Sequence, residues 1–143
     1  MNQLVRDYMK IGVPTCARET TLDEVARIMA RDCCDAIIVM DEFGACGVVS
    51  QTNLVRAFSR NYELMTAEDV MHEQIIGISP ESTLLAAANL MEYENVHQLF
   101  IMHAHPGPAR PSAVLTMRHL VRAMAGLPPE KIETPRVKVK EQV

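Results

Sequence analysis

Leu54-Val55-Arg56-Ala57 returns letter for letter as Leu120-Val121-Arg122-Ala123. Working outward from this match, the chain repeats itself. At an offset of 62, Asp7 and Met9 recur as Asp69 and Met71, and Glu19, Thr21 and Leu22 as Glu81, Thr83 and Leu84. Ala26, Met29 and Met40 recur in the same way as Ala88, Met91 and Met102. The offset grows to 66 by Leu120, so four residues are inserted between the two blocks of matches. The proline-rich run from His103 to Pro111 is longer than its counterpart around Asp41 to Cys46 and takes the insertion. Surface loops accept insertions because they disturb no core. A repeat of this length is a whole supersecondary unit.

One unit is legible from periodicity. Leu22, Val25, Ala26 and Met29 lie at helical spacing, and Leu84, Ala87, Ala88 and Met91 repeat the stripe. Thr21 and Glu24 have the spacing of a capping box ahead of the first stripe. Ala36-Ile37-Ile38-Val39-Met40 is too short and too β-branched for a helix and predicts a buried strand. Asp41-Glu42-Phe43-Gly44 supplies a turn into a second strand from Gly47 to Ser50, which completes a hairpin. Asn53 is placed to cap a helix through Leu54, Val55, Ala57 and Phe58. A further short strand is expected near Gly12 to Cys16. Each unit reads strand, helix, strand, strand, helix, with too little core to stand alone; two can bury their sheets against each other.

Composition bounds the function. The chain has 143 residues, 48% of them apolar and only 4% aromatic, so one aliphatic core is expected, with ten Met filling gaps. The net charge of −4 gives no case for nucleic acid, and the four basic residues Lys131, Arg136, Lys138 and Lys140 near the C-terminus are interleaved with acids. No signal peptide and no membrane-length apolar run are read, and the expected compartment is the cytoplasm. Cys16, Cys33, Cys34 and Cys46 are then expected as thiols, and their spacing matches no zinc pattern. There is no phosphate-binding glycine loop, nucleophile elbow or paired metal motif, so an enzyme is not expected. His103 and His105 in the proline-rich loop are read as solvated, with a metal or pH role as the alternative.

The order of elements and two phrases resemble the CBS domain, named for cystathionine β-synthase. Val5-Arg6-Asp7-Tyr8-Met9 and Ala67-Glu68-Asp69-Val70-Met71 are similar to the family's opening phrase. Ile37 to Asp41, Gly44, and Gly47 to Leu54 are similar to its strand-turn-strand segment. The resemblance covers about residues 4 to 126 and implies an α+β fold, two tandem β-α-β-β-α repeats packed as a pseudo-twofold pair. Repeat one is placed at about 4–62, repeat two at about 66–126, and 127–143 as a flexible extension. Its alternating Val137-Lys138-Val139-Lys140 could add an edge strand to a neighbour.

The resemblance also implies a function. Such pairs carry two clefts, often join as flat dimers, and commonly bind AMP, ADP, ATP or S-adenosylmethionine to regulate an attached or separate protein. The family's ribose contact is the Asp of its S/T-x-x-D phrase; here that position is Asn53 in repeat one and His119 in repeat two, with Ser50 and Thr116 keeping the hydroxyls. Positional matching assigns Pro14, Cys34, Asp35 and Val48 to one cleft, and Ile76, Val96, His97 and Val114 to the other. His97 is the phosphate candidate, and the cleft carrying His97 and Thr116 is the expected anion site. Arg56 and Arg122 lie one helical turn on and could reach a phosphate or stay solvated. The expected function is an adenosine-nucleotide sensor acting through a homodimer or a separate partner. The alternative is a ligand-independent scaffold for dimerisation or docking.

Overall fold

The computed structural model describes residues 3–32, 34–103 and 110–130, the side chain of residue 103 excepted. Among the described residues six α-helices run α1 (Val5–Tyr8), α2 (Leu22–Asp32), α3 (Gln51–Ala57), α4 (Ala67–Val70), α5 (Leu84–Glu94) and α6 (Met117–Met124), with a 3-10 turn at Tyr62–Leu64. Six strands run β1 (Lys10–Ile11), β2 (Thr15–Ala17), β3 (Ala36–Asp41), β4 (Gly44–Ser50), β5 (Gln98–His103) and β6 (Arg110–Thr116). They form two three-stranded sheets, β2-β3-β4 and β1-β6-β5. The fold is the mixed α+β pair that the repeat implies.

The hairpins form where the apolar runs predict them. β3 and β4 pair antiparallel, closing at Asp41 opposite Gly44. Asp41 Oδ1 accepts the Phe43 N–H at 2.8 Å, and Gly44 turns the chain at φ 118°, a conformation that favours glycine. The expected single strand near Gly12 is two, β1 and β2, because Gly12 at φ 89° breaks the extended run between them. Of the first helical stripe, Leu22, Val25 and Met29 are buried, but Ala26 is exposed and Ile28 packs on the core instead. The Glu24 carboxylate is held by Arg27 at 2.8 Å. Asn53 is not the cap of α3: Ser50 is, and Asn53 sits one turn inside the helix.

The two halves exchange their leading segments. α1 and β1 belong by sequence to repeat one, yet Val5 and Tyr8 are buried with Leu84, Ala87, Leu99 and Leu115 of repeat two. β1 pairs antiparallel with β6, Lys10 opposite Val114. Conversely Ala67, at the start of α4, is buried with Val25, Ile37, Val39 and Val49 of repeat one. Val48 and His72 exchange both backbone hydrogen bonds at 2.8 Å, the counterpart of the Lys10–Val114 pairing. Each repeat in space therefore carries the opening phrase of the other. The Asp of that phrase ties down a short helix: Asp7 Oδ2 accepts the Leu4 N–H at 2.9 Å, and Asp69 Oδ2 accepts the Thr66 N–H at 2.9 Å.

A third core joins the sheets, where Ala36, Ile38 and Val48 of one meet Phe100 of the other. Ile38 and Phe100 are equivalent positions, so the two sheets pack about a pseudo-twofold axis. Gly47 is required beside this seam: a Cβ there would lie 2.6 Å from Met71 Sδ and 3.0 Å from the His72 carbonyl oxygen. Gly47→Ala is expected to cost about 1–3 kcal/mol, since Met71 must move and the His72 carbonyl beside it leaves little room. Leu85→Ala, on the exposed face of α5, is expected to stay within about 0.5 kcal/mol. Urea denaturation of the two variants checks the contrast.

Candidate functional site

Two clefts flank the pseudo-twofold axis, and each is built from both repeats. The first is an open cavity of about 470 Å³. Val48, Ser50, Asn53 and Arg56 come from β4 and α3, while Ile76, Val96 and His97 come from the second repeat. The second holds only about 20 Å³. Its lining joins Pro14, Cys34 and Asp35 of the first repeat to Val114, Thr116 and His119 of the second.

This regroups the expected sites. Val48 faces Ile76, Val96 and His97, not Pro14, Cys34 and Asp35; Val114 lies with the latter. His97 lines the first cleft and Thr116 the second, so the two do not share one cavity. The cause is the packing of each hairpin's end against the helix-to-strand junction of the other sheet, which a repeat read along the chain does not display. Arg122 lines neither cleft: its Nε and Nη2 donate to the Pro128 carbonyl at 2.9 and 2.7 Å. Arg56, its equivalent, does line the open cavity. His72, Gln74 and Gln98 line the open cavity and were not foreseen; no local pattern marks them, since the exchange of leading segments brings His72 there.

The local chemistry of the two clefts differs. At the first, Asn53 Oδ1 accepts the Ser50 N–H at 2.8 Å and the Ser50 Oγ–H at 2.9 Å, while Ser50 Oγ accepts the Asn53 N–H at 3.3 Å. At the second, the Thr116 N–H donates to His119 Nδ1 at 2.9 Å, and Thr116 Oγ1 is buried without a hydrogen bond among the described residues. His119 is buried, and Nε2 lies 3.7 Å from Glu130 Oε1. Arg118 spans this cleft, with Nη1 3.1 Å from Asp35 Oδ2 and Nε 3.2 Å from Glu130 Oε2. Tyr8 Oη donates to the Leu127 carbonyl at 2.7 Å. Residues 127, 128 and 130 are thus fastened to α1 and α6; residues 131–143, with the Val/Lys alternation, lie outside the described residues.

Titration at these sites follows burial. Cys16 is pushed up to about 11 mainly by burial, and burial also raises Cys34 and Cys46, so these thiols stay protonated and poorly nucleophilic. Cys33 and the His103–His105 pair lie outside the described side chains. Among the described residues no cluster of three or more His, Cys, Asp or Glu is placed to hold a metal. Burial first, and the Arg118 charge second, lower the His119 imidazole below its ordinary value, with Glu130 and Asp35 opposing them. Both folded and unfolded chains hold it neutral well above pH 6.5. As the pH falls below that, the unfolded chain takes up a proton that the folded chain resists, so stability is lost on acidification. His119→Asn, which copies the sister repeat, is expected to flatten the acid side of a urea-stability profile measured against pH.

Comparison with known proteins places this architecture. The CBS domain model matches residues 5–60 and 67–126. No curated protein sequence matches the chain. Among solved structures, the CBS domain pair of protein MJ0100, crystallised with methylthioadenosine and S-adenosylmethionine, is 18% identical with a TM-score of 0.77, covering 88% of this chain and 98% of its own. A conserved protein of Pyrococcus horikoshii is 17% identical with a TM-score of 0.74, over 94% of this chain and 98% of its own. A hexameric CBS-CP12 protein from bloom-forming cyanobacteria is 16% identical with a TM-score of 0.73, over 85% of this chain and 71% of its own. At these identities the likeness is one of fold. With both repeats matched and together spanning most of its length, the chain belongs to the CBS domain family.

Proposed function

We propose that the protein is a regulatory, non-catalytic module that senses an adenosine nucleotide in its open cleft and acts through a dimer or a separate partner. The carrying observation is the contrast between the clefts, about 470 Å³ against about 20 Å³. The larger falls within the roughly 300–1,000 Å³ of ordinary small-ligand pockets. Its walls combine apolar Val48, Ile76, Val96 and Phe100 with Arg56, His72 and His97. A flat base suits the former and a phosphate the latter. The bound adenosine compounds of the MJ0100 pair support this reading. Within it, the domain spans 1–126, and Ser50, Asn53 and His97 are the principal contacts. Pro14, Cys34, Asp35, Val114, Thr116 and His119 belong to the closed cleft. AMP, ADP, ATP and S-adenosylmethionine are the candidate ligands. The acidic net charge speaks against nucleic acid. No helix among the described residues is long and apolar enough to cross a membrane, and the proposed compartment is the cytoplasm.

The dimer has its own support. Val55 and Phe58 on repeat one and their equivalents Val121 and Met124 on repeat two are all exposed. Equivalent apolar residues on the two halves of a pseudo-twofold pair suit an isologous contact with a second copy. This surface also supports the second reading, a ligand-independent scaffold.

Two measurements separate the readings. AMP, ADP, ATP and S-adenosylmethionine are titrated in a thermal-shift assay; ligand at 100 times its dissociation constant adds about 2.7 kcal/mol if it binds only the folded chain. A shift of a few degrees that is lost in His97→Ala is the expected result. No shift at millimolar ligand, with a dimer persisting, selects the scaffold. Sedimentation of Phe58→Glu and Met124→Glu is expected to show monomer where the native chain shows dimer.

A further inference from the structure

We propose that the open cleft binds its ligand through an anionic oxygen of phosphate or carboxylate at Asn53, the position from which the family's carboxylate would accept ribose hydroxyls. The inference deepens the nucleotide reading and rests on it only for the adenine part of the ligand. Backbone N–H groups can only donate, so the Asn53 amide atom beside the Ser50 N–H must be the oxygen. That oxygen also takes the Ser50 hydroxyl proton. Its acceptor capacity is therefore used within the turn. The amide atom left for the cavity is Nδ2, which carries two N–H donors and forms no hydrogen bond among the described residues. An aspartate here would turn a second acceptor oxygen to the cavity; asparagine turns a donor. A sugar hydroxyl can meet either, but an anionic oxygen can meet only the donor.

The sister cleft supplies an independent observation. His119 holds the equivalent position and makes the equivalent backbone bond, through Nδ1. In the neutral ring the proton is then on Nε2, again a donor, on the side of the ring away from that bond. What faces it is a carboxylate, Glu130, 3.7 Å away and held by Arg118. Both repeats thus present a donor at this position, and in the closed cleft the chain's own carboxylate lies opposite it. In the open cleft Arg56, His72 and His97 line the same cavity, against one carboxylate, Glu94. An anion from outside the chain takes the place there that Glu130 takes in its sister.

The test uses calorimetric titration of the full chain with adenosine, AMP, inorganic pyrophosphate and citrate, in the native protein, Asn53→Asp and Asn53→Ala. The Asp variant keeps the turn, because a carboxylate oxygen accepts from Ser50 as the amide oxygen does. The Ala variant removes the donor without adding charge. Native protein is expected to bind AMP at least tenfold more tightly than adenosine. Asn53→Ala should lose about three- to tenfold in AMP affinity and Asn53→Asp more, with adenosine unchanged or improved in the Asp variant. Glu94→Gln should tighten AMP. If pyrophosphate or citrate binds with this same dependence on Asn53 while neither adenine compound does, the nucleotide reading fails and the anion site stands, its phosphate or carboxylate preference read from the two. Equal binding of adenosine and AMP, an AMP affinity indifferent to both variants, or no binding of any anion overturns the proposal.

Discussion

The reciprocal backbone pairing of Val48 with His72 and of Lys10 with Val114 is the constraint on which the rest depends. Each pair stitches the leading segment of one repeat to the hairpin of the other. Without it neither sheet has its covering helix, because Val5 and Tyr8 complete one core and Ala67 the other. The same stitch sets the clefts. His72 reaches the open cavity because its backbone is bonded to Val48, and Lys10 lines the closed one because it pairs with Val114. Gly47 is the sequence's concession to this closeness: the strand passes so near Met71 and His72 that a side chain there forces one of them to shift.

From this shared frame the two repeats diverge by a few side chains. Thr52 and Asn53 in one correspond to Arg118 and His119 in the other, and His97 corresponds to Asp35. In the second cleft Arg118 bridges Asp35 to Glu130, and a tyrosine and a second arginine fasten residues 127 and 128 beside it. Each of these surface-level ion pairs contributes little alone. Together they surround a cleft far smaller than its counterpart. Pseudo-symmetry at the backbone therefore coexists with asymmetry at the ligand-sized scale.

The elements were legible from the sequence because their signals are local. A β-branched run between turn residues leaves few options for Ile37 to Val39, and Leu84, Ala87 and Met91 fall on one face by spacing alone. Asn53 was harder. Asparagine before an apolar helical stripe has the look of a cap, but Ser50 three residues earlier makes the cap and Asn53 answers it from inside the helix. The clefts were legible as a set of residues and not as a grouping. Matching by position finds Ser50, Asn53 and His97, but which hairpin end faces which junction is decided by how two sheets meet across Ile38 and Phe100. Nothing between neighbouring residues encodes that. The contact of Glu130 with Arg118 was invisible for the same reason: Arg118, at a helix start, holds the tail residue on one side and Asp35, far away in sequence, on the other.

The exchange of leading segments bears on how the chain reaches this state. Val5 and Tyr8 find their buried neighbours between Leu84 and Leu115. During synthesis Val5 and Tyr8 therefore have no core to enter until the second repeat has followed. Contacts between such distant residues close slowly, since the loop entropy is lost before the burial is gained. The first repeat, for its part, lacks the cover of Ala67 until the link between the repeats is made. The sequence repeat is thus a unit of composition and not a unit of packing: each core draws its residues from both halves.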